Sequence, residues 1–335
     1  MKKKMLKVYV PLVIAIVFCI SLTIPSGASA KAAKVLTFSS YLPITHEASK
    51  ALDAAAKEIA AKSNGKVTLK IFPSSQLYNI MQTFDAVSEG AVDMGFNGLF
   101  GENRKNPVFG ATGLPYVFPS FDATMKSCRG GLDDFMDKEA NKLSVKVVAV
   151  AFTDYAQWFT VKKPLLKPED FKGAQLRTFP GYVIDAAKVL GAAPVKLPTS
   201  EIYTSLQRGI VDGHIGTVES ALAGKFYEVE KYAVIGPFSI APIHVIANLK
   251  SWNGLTNTEQ RLITKTFDDM ADKLVAIFKE KTLVSGPAEL KKNGVTVHIQ
   301  TPAEIDAFKK ALQPVYDMYL KDAGAMGKKA LELTR

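Results

Sequence analysis

The chain has 335 residues, 47% of them hydrophobic and 10% aromatic, with 42 basic against 32 acidic side chains. That composition excludes a disordered polymer, and the length exceeds what one hydrophobic core usually serves, so two lobes are expected. The lysines are scattered rather than clustered, which argues against a nucleic-acid partner.

Lys2, Lys3, Lys4 and Lys7 precede an apolar stretch from Val8 to Ile24, and P-S-G-A-S-A follows, with Ala28 and Ala30 at small-residue positions. This is the pattern of a secretory signal, expected to be cut after about Ala30. A retained membrane anchor would need ~20 apolar residues. Removing residues 1–30 leaves 38 basic against 32 acidic residues, a net charge of +6 in place of +10. Cys19 leaves with the signal, so Cys128 has no partner for a disulfide and reads as a half-buried helix residue.

Val35–Ser40 reads as a strand, and Thr45 is placed to cap a helix over 46–62 whose stripe is Ala51, Leu52, Ala55, Ala56 and Ile59. Val67–Phe72 alternates as a strand, 79–89 reads as a helix, and Met94–Asn97 as a short strand. The β-α-β-α-β order implies a parallel sheet covered by helices. The Gly- and Pro-rich segment 98–121 is expected to wrap this lobe as short strands and turns, before a helix over 122–141 and a strand over Val145–Phe152.

Near residues 154–164 the pattern restarts. Trp158–Val161, Gln175–Thr178, Ala193–Leu197 and Gly213–Gly216 read as strands, with helices over 181–190 and 200–208 and another containing Lys225–Glu228. Residues 234–246 are apolar, carry two prolines, and are expected to cross back to the first lobe. Thr256-x-x-Glu259 is a capping box that opens a long helix with Leu262, Phe267, Met270, Leu274 and Ile277 inward. Thr301-Pro302-x-Glu304 opens the last helix, over 302–320, and the tail after Gly324 is expected to be loosely ordered.

The phrase G-x-V-D occurs twice, at 90–93 and 209–212. Each copy follows a helix and precedes a strand, so it reads as one helix exit used once per lobe, with Asp93 and Asp212 fixing turns. The fold class is therefore α/β, two lobes with a cleft between them and a long connecting helix. Ligands of open α/β sheets bind beyond the carboxyl ends of the strands. The boundaries expected are 31–153 for the first lobe, with 243–300 returning to it, 154–242 for the second, and 301–335 for a C-terminal helix and tail.

Nothing points to catalysis or to a cofactor. His46, His214, His244 and His298 stand in no metal-binding spacing, and neither a G-x-S-x-G elbow nor a Walker loop occurs. No cofactor and no metal are expected.

The stretches L-K-P-E-D-F-K-G-A-Q-L-R-T-F (166–179), L-G-A-A-P-V-K-L-P-T-S-E-I-Y-T-S-L-Q-R-G-I-V-D-G (190–213) and K-F-Y-E-V-E-K-Y (225–232) closely resemble the substrate-binding proteins of tripartite ATP-independent periplasmic (TRAP) transporters. G-K-V-T-L-K-I-F-P-S-S-Q-L, G-A-V-D-M-G-F and G-L-P-Y-V-F fit in the expected order, so the resemblance covers nearly the whole mature chain. It implies a periplasmic binding protein that closes on a small organic acid and hands it to integral membrane TRAP subunits. A monomer is expected.

The resemblance makes Arg177 the carboxylate grip, a role suited to a planar guanidinium fork. Strand alternation puts Gln175, Arg177 and Phe179 on one face, with Phe179 as an apolar wall beside the ion pair. Two departures stand out. The position of a second arginine is Ala156 here, with Trp158 on the same side of an extended strand, and Gly216 replaces an asparagine. Together they suggest one carboxylate and a bulkier, aromatic or branched ligand body, with Tyr155, Trp158, Phe179 and Tyr182 as its surroundings. Tyr41 and Asn97, just past strand ends, are further cleft candidates, and His214 is a candidate hydrogen-bond donor. Rival readings are a binding protein of an ABC-type importer, a sensor presenting ligand to a receptor, and an extracytoplasmic lyase on the same scaffold.

Overall fold

The computed structural model describes residues 33–335, and the export signal read in residues 1–30 lies outside them. Chain order begins β1 (Lys34–Ser39), α1 (Glu47–Lys62), β2 (Val67–Phe72), α2 (Thr83–Ser88), β3 (Met94–Asn97), α3 (Phe121–Ser127), α4 (Asp133–Asn141) and β4 (Val145–Thr160). It continues β5 (Gln175–Thr178), α5 (Val183–Val189), β6 (Ala193–Lys196), α6 (Ile202–Gln207), β7 (Gly213–Gly216), α7 (Val218–Ala223) and β8 (Tyr232–Asn248). It closes with α8 (Leu249–Asn253), α9 (Asn257–Glu280), α10 (Gly286–Lys292), β9 (Thr296–Ile299), α11 (Pro302–Ala311) and α12 (Gln313–Glu332).

The strands join in the order β2-β1-β3-β8-β4-β7-β5-β6, with β9 on β8. β2-β1-β3 and β7-β5-β6 are parallel triples. Between them β8 and β4 run antiparallel from Val145↔Asn248 to Thr160↔Tyr232. Each triple with its helices is a lobe, and both long strands pass through both. Residues 145–160 are thus one strand, where two were expected. Its pairing slips at three places, one between Ala156 and Trp158, and such bulges disguise the two-residue period that marks a strand.

Other differences have local causes. His46, not Thr45, caps α1, its Nδ1 accepting from the Ala48 N–H at 3.2 Å. α2 begins only at Thr83, because the Asn79 and Gln82 side chains fold residues 79–82 into a turn. Segment 98–121 holds 3-10 turns at Leu99–Glu102 and Pro107–Gly113 in place of strands. The helix expected over 122–141 is broken by a π turn at Cys128–Leu132, where Gly131 has φ +113°. Lys225–Glu228 is not helical: Lys225 is left-handed and Phe226–Glu228 a 3-10 turn. The buried stripe of α9 is Ile263, Phe267, Met270, Leu274 and Phe278, while Ile277 is exposed. The tail after Gly324 is helical, kinked there, and docked by buried Gly327 and Ala330. Cys128 is fully buried rather than half-buried.

Phe38, Phe96 and Phe152 meet edge-on at 5.0 and 5.8 Å in the larger core. Phe159, Ile202, Leu206, Val218, Phe226 and Leu290 build a second one. Each such side chain contributes roughly 1.5–3 kcal/mol by leaving water.

Candidate functional site

The carboxyl ends of both parallel triples converge on one cavity of about 870 Å³. From β1, β2 and β3 come Tyr41, Ser74, Ser75 and Gly98; from β5, β6 and β7 come Phe179, Pro198, Thr199 and Thr217. The floor is β4 and β8, through Phe152, Asp154, Ala156, Ser239 and Ile243.

Arg177 lies on β5 and lines the cavity, 6% exposed. Its Nε–H donates to Leu197 O at 2.9 Å, and Nη1 to Ile215 O at 3.3 Å. Nη2 reaches Thr199 Oγ at 3.5 Å. All three partners are neutral, and among the described residues no carboxylate pairs with this guanidinium. Of its five N–H groups, two stay unused. Burial alone lowers its pKa, to about 10. The site therefore holds a desolvated cation with spare donors aimed where an anion fits.

Phe179 follows two residues later, half-buried on the same wall, its ring 5.5 Å from Phe100. Leu176 and Thr178 point to the other side and are buried, as alternation requires. His214 and Gly216 line the cavity from β7, and Tyr41 does so from beyond β1. The burial of Tyr41, and then nearby Asp154, push its phenol up.

Asn97, Trp158 and Tyr155 stand away from the cavity lining. Asn97 is buried and donates to Glu102 Oε1 at 3.1 Å, so it positions a lining residue. Trp158 does not share the side of Ala156, because the bulge between them breaks the alternation. Its indole N–H donates to Leu165 O at 2.8 Å, and its ring packs on Phe171, Phe238 and Phe308. Tyr155 alternates away from Asp154 and stacks on Phe121 at 4.3 Å. Tyr182 is core, its hydroxyl bonded to Asp322 at 2.9 Å.

The lining acids Asp154, Glu102 and Glu201 have no counterpart in the sequence reading. Burial raises the Asp154 carboxyl to about 7, against the Thr282 hydroxyl and the Tyr155 N–H that bond its Oδ1. Burial raises Glu102 to about 7 as well, opposed by the Asn97 amide and Lys105. The signal for Asp154 is the run Phe152-x-Asp154-x-Ala156, three cavity residues at strand spacing, which a strand taken to end at Phe152 conceals.

Cys128, Asp133 and His244 lie within 4.8 Å of one another but do not line the cavity. Burial and then Asp133 raise the Cys128 thiol well above its ordinary range, which makes it unreactive.

The profile of the bacterial extracellular solute-binding protein family 7 matches residues 38–322. The C4-dicarboxylate-binding periplasmic protein DctP of Rhodobacter capsulatus is 31% identical over 281 residues, 80% of this chain and 81% of that one. The C4-dicarboxylate-binding protein DctB of Bacillus subtilis is 27% identical over 261 residues, 77% of this chain and 74% of that one. A TRAP periplasmic solute-binding protein from Desulfovibrio salexigens, solved with bound orotic acid, superposes with a TM-score of 0.83. It is 28% identical, over 90% of this chain and 97% of that one.

Proposed function

The chain belongs to the bacterial extracellular solute-binding proteins of family 7, and from that premise we propose that its cavity takes one carboxylate of a small organic acid on Arg177. The ligand then passes to integral membrane TRAP subunits. One observation carries the reading: Arg177 is a buried cation with two spare donors and no acid partner among the described residues.

A single buried grip fits a monocarboxylate: Ala156 supplies no second cation to the floor, and the other lining cations, Arg104, Lys105 and Lys196, are exposed. Phe179, Phe100, Phe152 and Phe226 give the lining apolar surface suited to an aromatic or branched body. The relatives' named ligands differ among themselves, from C4-dicarboxylates to orotic acid, so the choice rests on the cavity. The lobes that close on the acid are taken as residues 31–153 with 243–300, and 154–242, with 301–335 bracing them. Export through a signal cut after about Ala30, action as a monomer, and release of the ligand unchanged complete the reading.

The test is calorimetry with 3-phenylpropanoate, 4-methylpentanoate, orotate and succinate on the wild type and on Arg177→Ala. Truncating one partner of a buried charge pair costs about 2–5 kcal/mol. Monocarboxylate affinity is thus expected to fall at least roughly thirtyfold. Tight binding of succinate alone would overturn the monocarboxylate reading.

A further inference from the structure

His214 is held on β7 by aromatic packing and by one acidic neighbour. Its ring is 0% exposed, stacked on Phe159 at 4.8 Å and 12° and met edge-on by Phe226 at 5.2 Å. Its Nδ1 lies 2.6 Å from Oε1 of Glu230, which is itself 1% exposed. Its Nε2 has no partner among the described residues, although the ring lines the cavity.

Two placements tie this nitrogen to the ligand. In the parallel register of β5 and β7, Arg177 stands beside His214, so both side chains leave one face of the sheet on neighbouring strands. Two residues on, a Cβ built at Gly216 would lie 2.6 Å from His214 Cδ2 and 2.7 Å from Nε2. The imidazole edge therefore fills the space where a side chain at 216 would begin.

The proton count decides what kind of contact it is. A carboxylate this buried is costly unless its charge is neutralised. Burial raises the Glu230 carboxyl, and only His214 acts against that. The pair is net neutral either as glutamic acid with neutral imidazole or as glutamate with imidazolium. In the first, the acid proton goes to Nδ1, so the ring hydrogen sits on Nε2; in the second, both nitrogens carry hydrogen. The remaining state, glutamate accepting from Nδ1–H with a bare Nε2, leaves the pair negative; once an anion occupies neighbouring Arg177 that charge has no free cation beside it, so the ligand-bound site carries hydrogen on Nε2. An anion arriving on Arg177 favours that state further, since a bare nitrogen lone pair would repel it.

We propose that His214, positioned by Glu230, presents an Nε2–H donor beside Arg177 and selects acids with an oxygen acceptor on the carbon next to the carboxylate, that is, 2-oxo or 2-hydroxy acids. The proposal rests on the reading of Arg177 as the carboxylate grip. Acids with an N–H at that place, such as pyroglutamate and orotate, meet donor against donor and are disfavoured.

Calorimetry on matched pairs tests it: phenylpyruvate and 3-phenyllactate against 3-phenylpropanoate, and 4-methyl-2-oxopentanoate against 4-methylpentanoate, with pyroglutamate and orotate as N–H probes. One buried hydrogen bond to an anionic ligand predicts a preference of roughly tenfold to a hundredfold for the oxygenated member. The variant His214→Phe with Glu230→Gln keeps the aromatic packing and leaves no lone buried carboxylate. In it the preference is expected to shrink to within about threefold. His214→Gln, which keeps an N–H near the Nε2 position, is expected to restore part of the preference. Nitrogen-15 NMR of labelled histidine is expected to find hydrogen on Nε2 of His214. Arg177-dependent binding without the preference, a preference for N–H acids, or a bare Nε2 overturns this proposal and leaves the Arg177 reading standing. Failure of every acid to bind overturns both.

Discussion

Asp154 is a lining residue whose chemistry departs far from that of its exposed counterpart. Its carboxyl is raised from 3.8 to about 7 by burial, so the fold favours its protonated form. The stability from this group is fully present below about pH 4 and is lost as pH rises through about 7. Glu102, raised to about 7, acts in the same direction. His46, lowered to about 4 by burial, acts in the opposite one: its contribution is present above pH 6.5 and lost as pH falls through about 4. Asp154→Asn keeps an acceptor for Thr282 and the Tyr155 N–H while removing the charge. It is expected to stabilise the ligand-free protein by about 1–3 kcal/mol at pH 8 and hardly at all at pH 4, by urea denaturation at both. Legibility at this scale followed regularity. Arg177 lies on an unbroken strand and Phe179 directly past its end, and both line the cavity. Trp158 lies beyond a bulge, and its alternation failed there. Tyr155 sits on the unbroken part of β4, and its face is the one opposite its neighbour Asp154, which lines the cavity.

At the scale of elements, the doubled G-x-V-D has a structural meaning. Asp93 accepts from the Thr37 N–H and hydroxyl through Oδ2, each at 2.8 Å, pinning β1 beside β3. Asp212 accepts from the Gln175 N–H at 3.0 Å, pinning β5 beside β7. The main-chain carbonyls repeat the match: Asp93 O takes the Asn248 N–H at the end of β8, and Asp212 O takes the Val161 N–H just past β4. Each aspartate thus locks a parallel triple to the long strand beside it, and neither lines the cavity. Capping was equally legible where the motif was complete. Thr256 Oγ accepts from the Glu259 N–H, and Glu259 reaches back to the Thr256 N–H at 2.7 Å. Thr256→Ala is expected to cost about 1 kcal/mol, seen as a lower midpoint in chemical denaturation with unchanged ligand affinity.

For the whole molecule, ligand capture and stability are linked by mass action. An acid held at about a hundred times its Kd is expected to add about 2.7 kcal/mol to unfolding. The rise in melting temperature that reports this should shrink to about a third or less in Arg177→Ala; an undiminished shift would place the acid elsewhere. Hydrophobic period, turn residues and capping boxes lie close together in the chain, and by themselves they determined the two α/β lobes, the long helix and the convergence of strand ends. The ordered motifs determined the family. What depended on contacts between distant segments was decided only by tertiary structure. β4 and β8 form continuous strands because each pairs with the other across both lobes. The tail is helical because Tyr319, buried, bonds Gly327 O at 3.2 Å and the helix has a surface to dock on. The facing of His214 Nε2, the loss of side-chain room at Gly216 and the burial of Asp154 arise where β4, β5, β7 and β8 meet. A one-dimensional pattern says which face a residue takes, while desolvation and free donors depend on what covers that face.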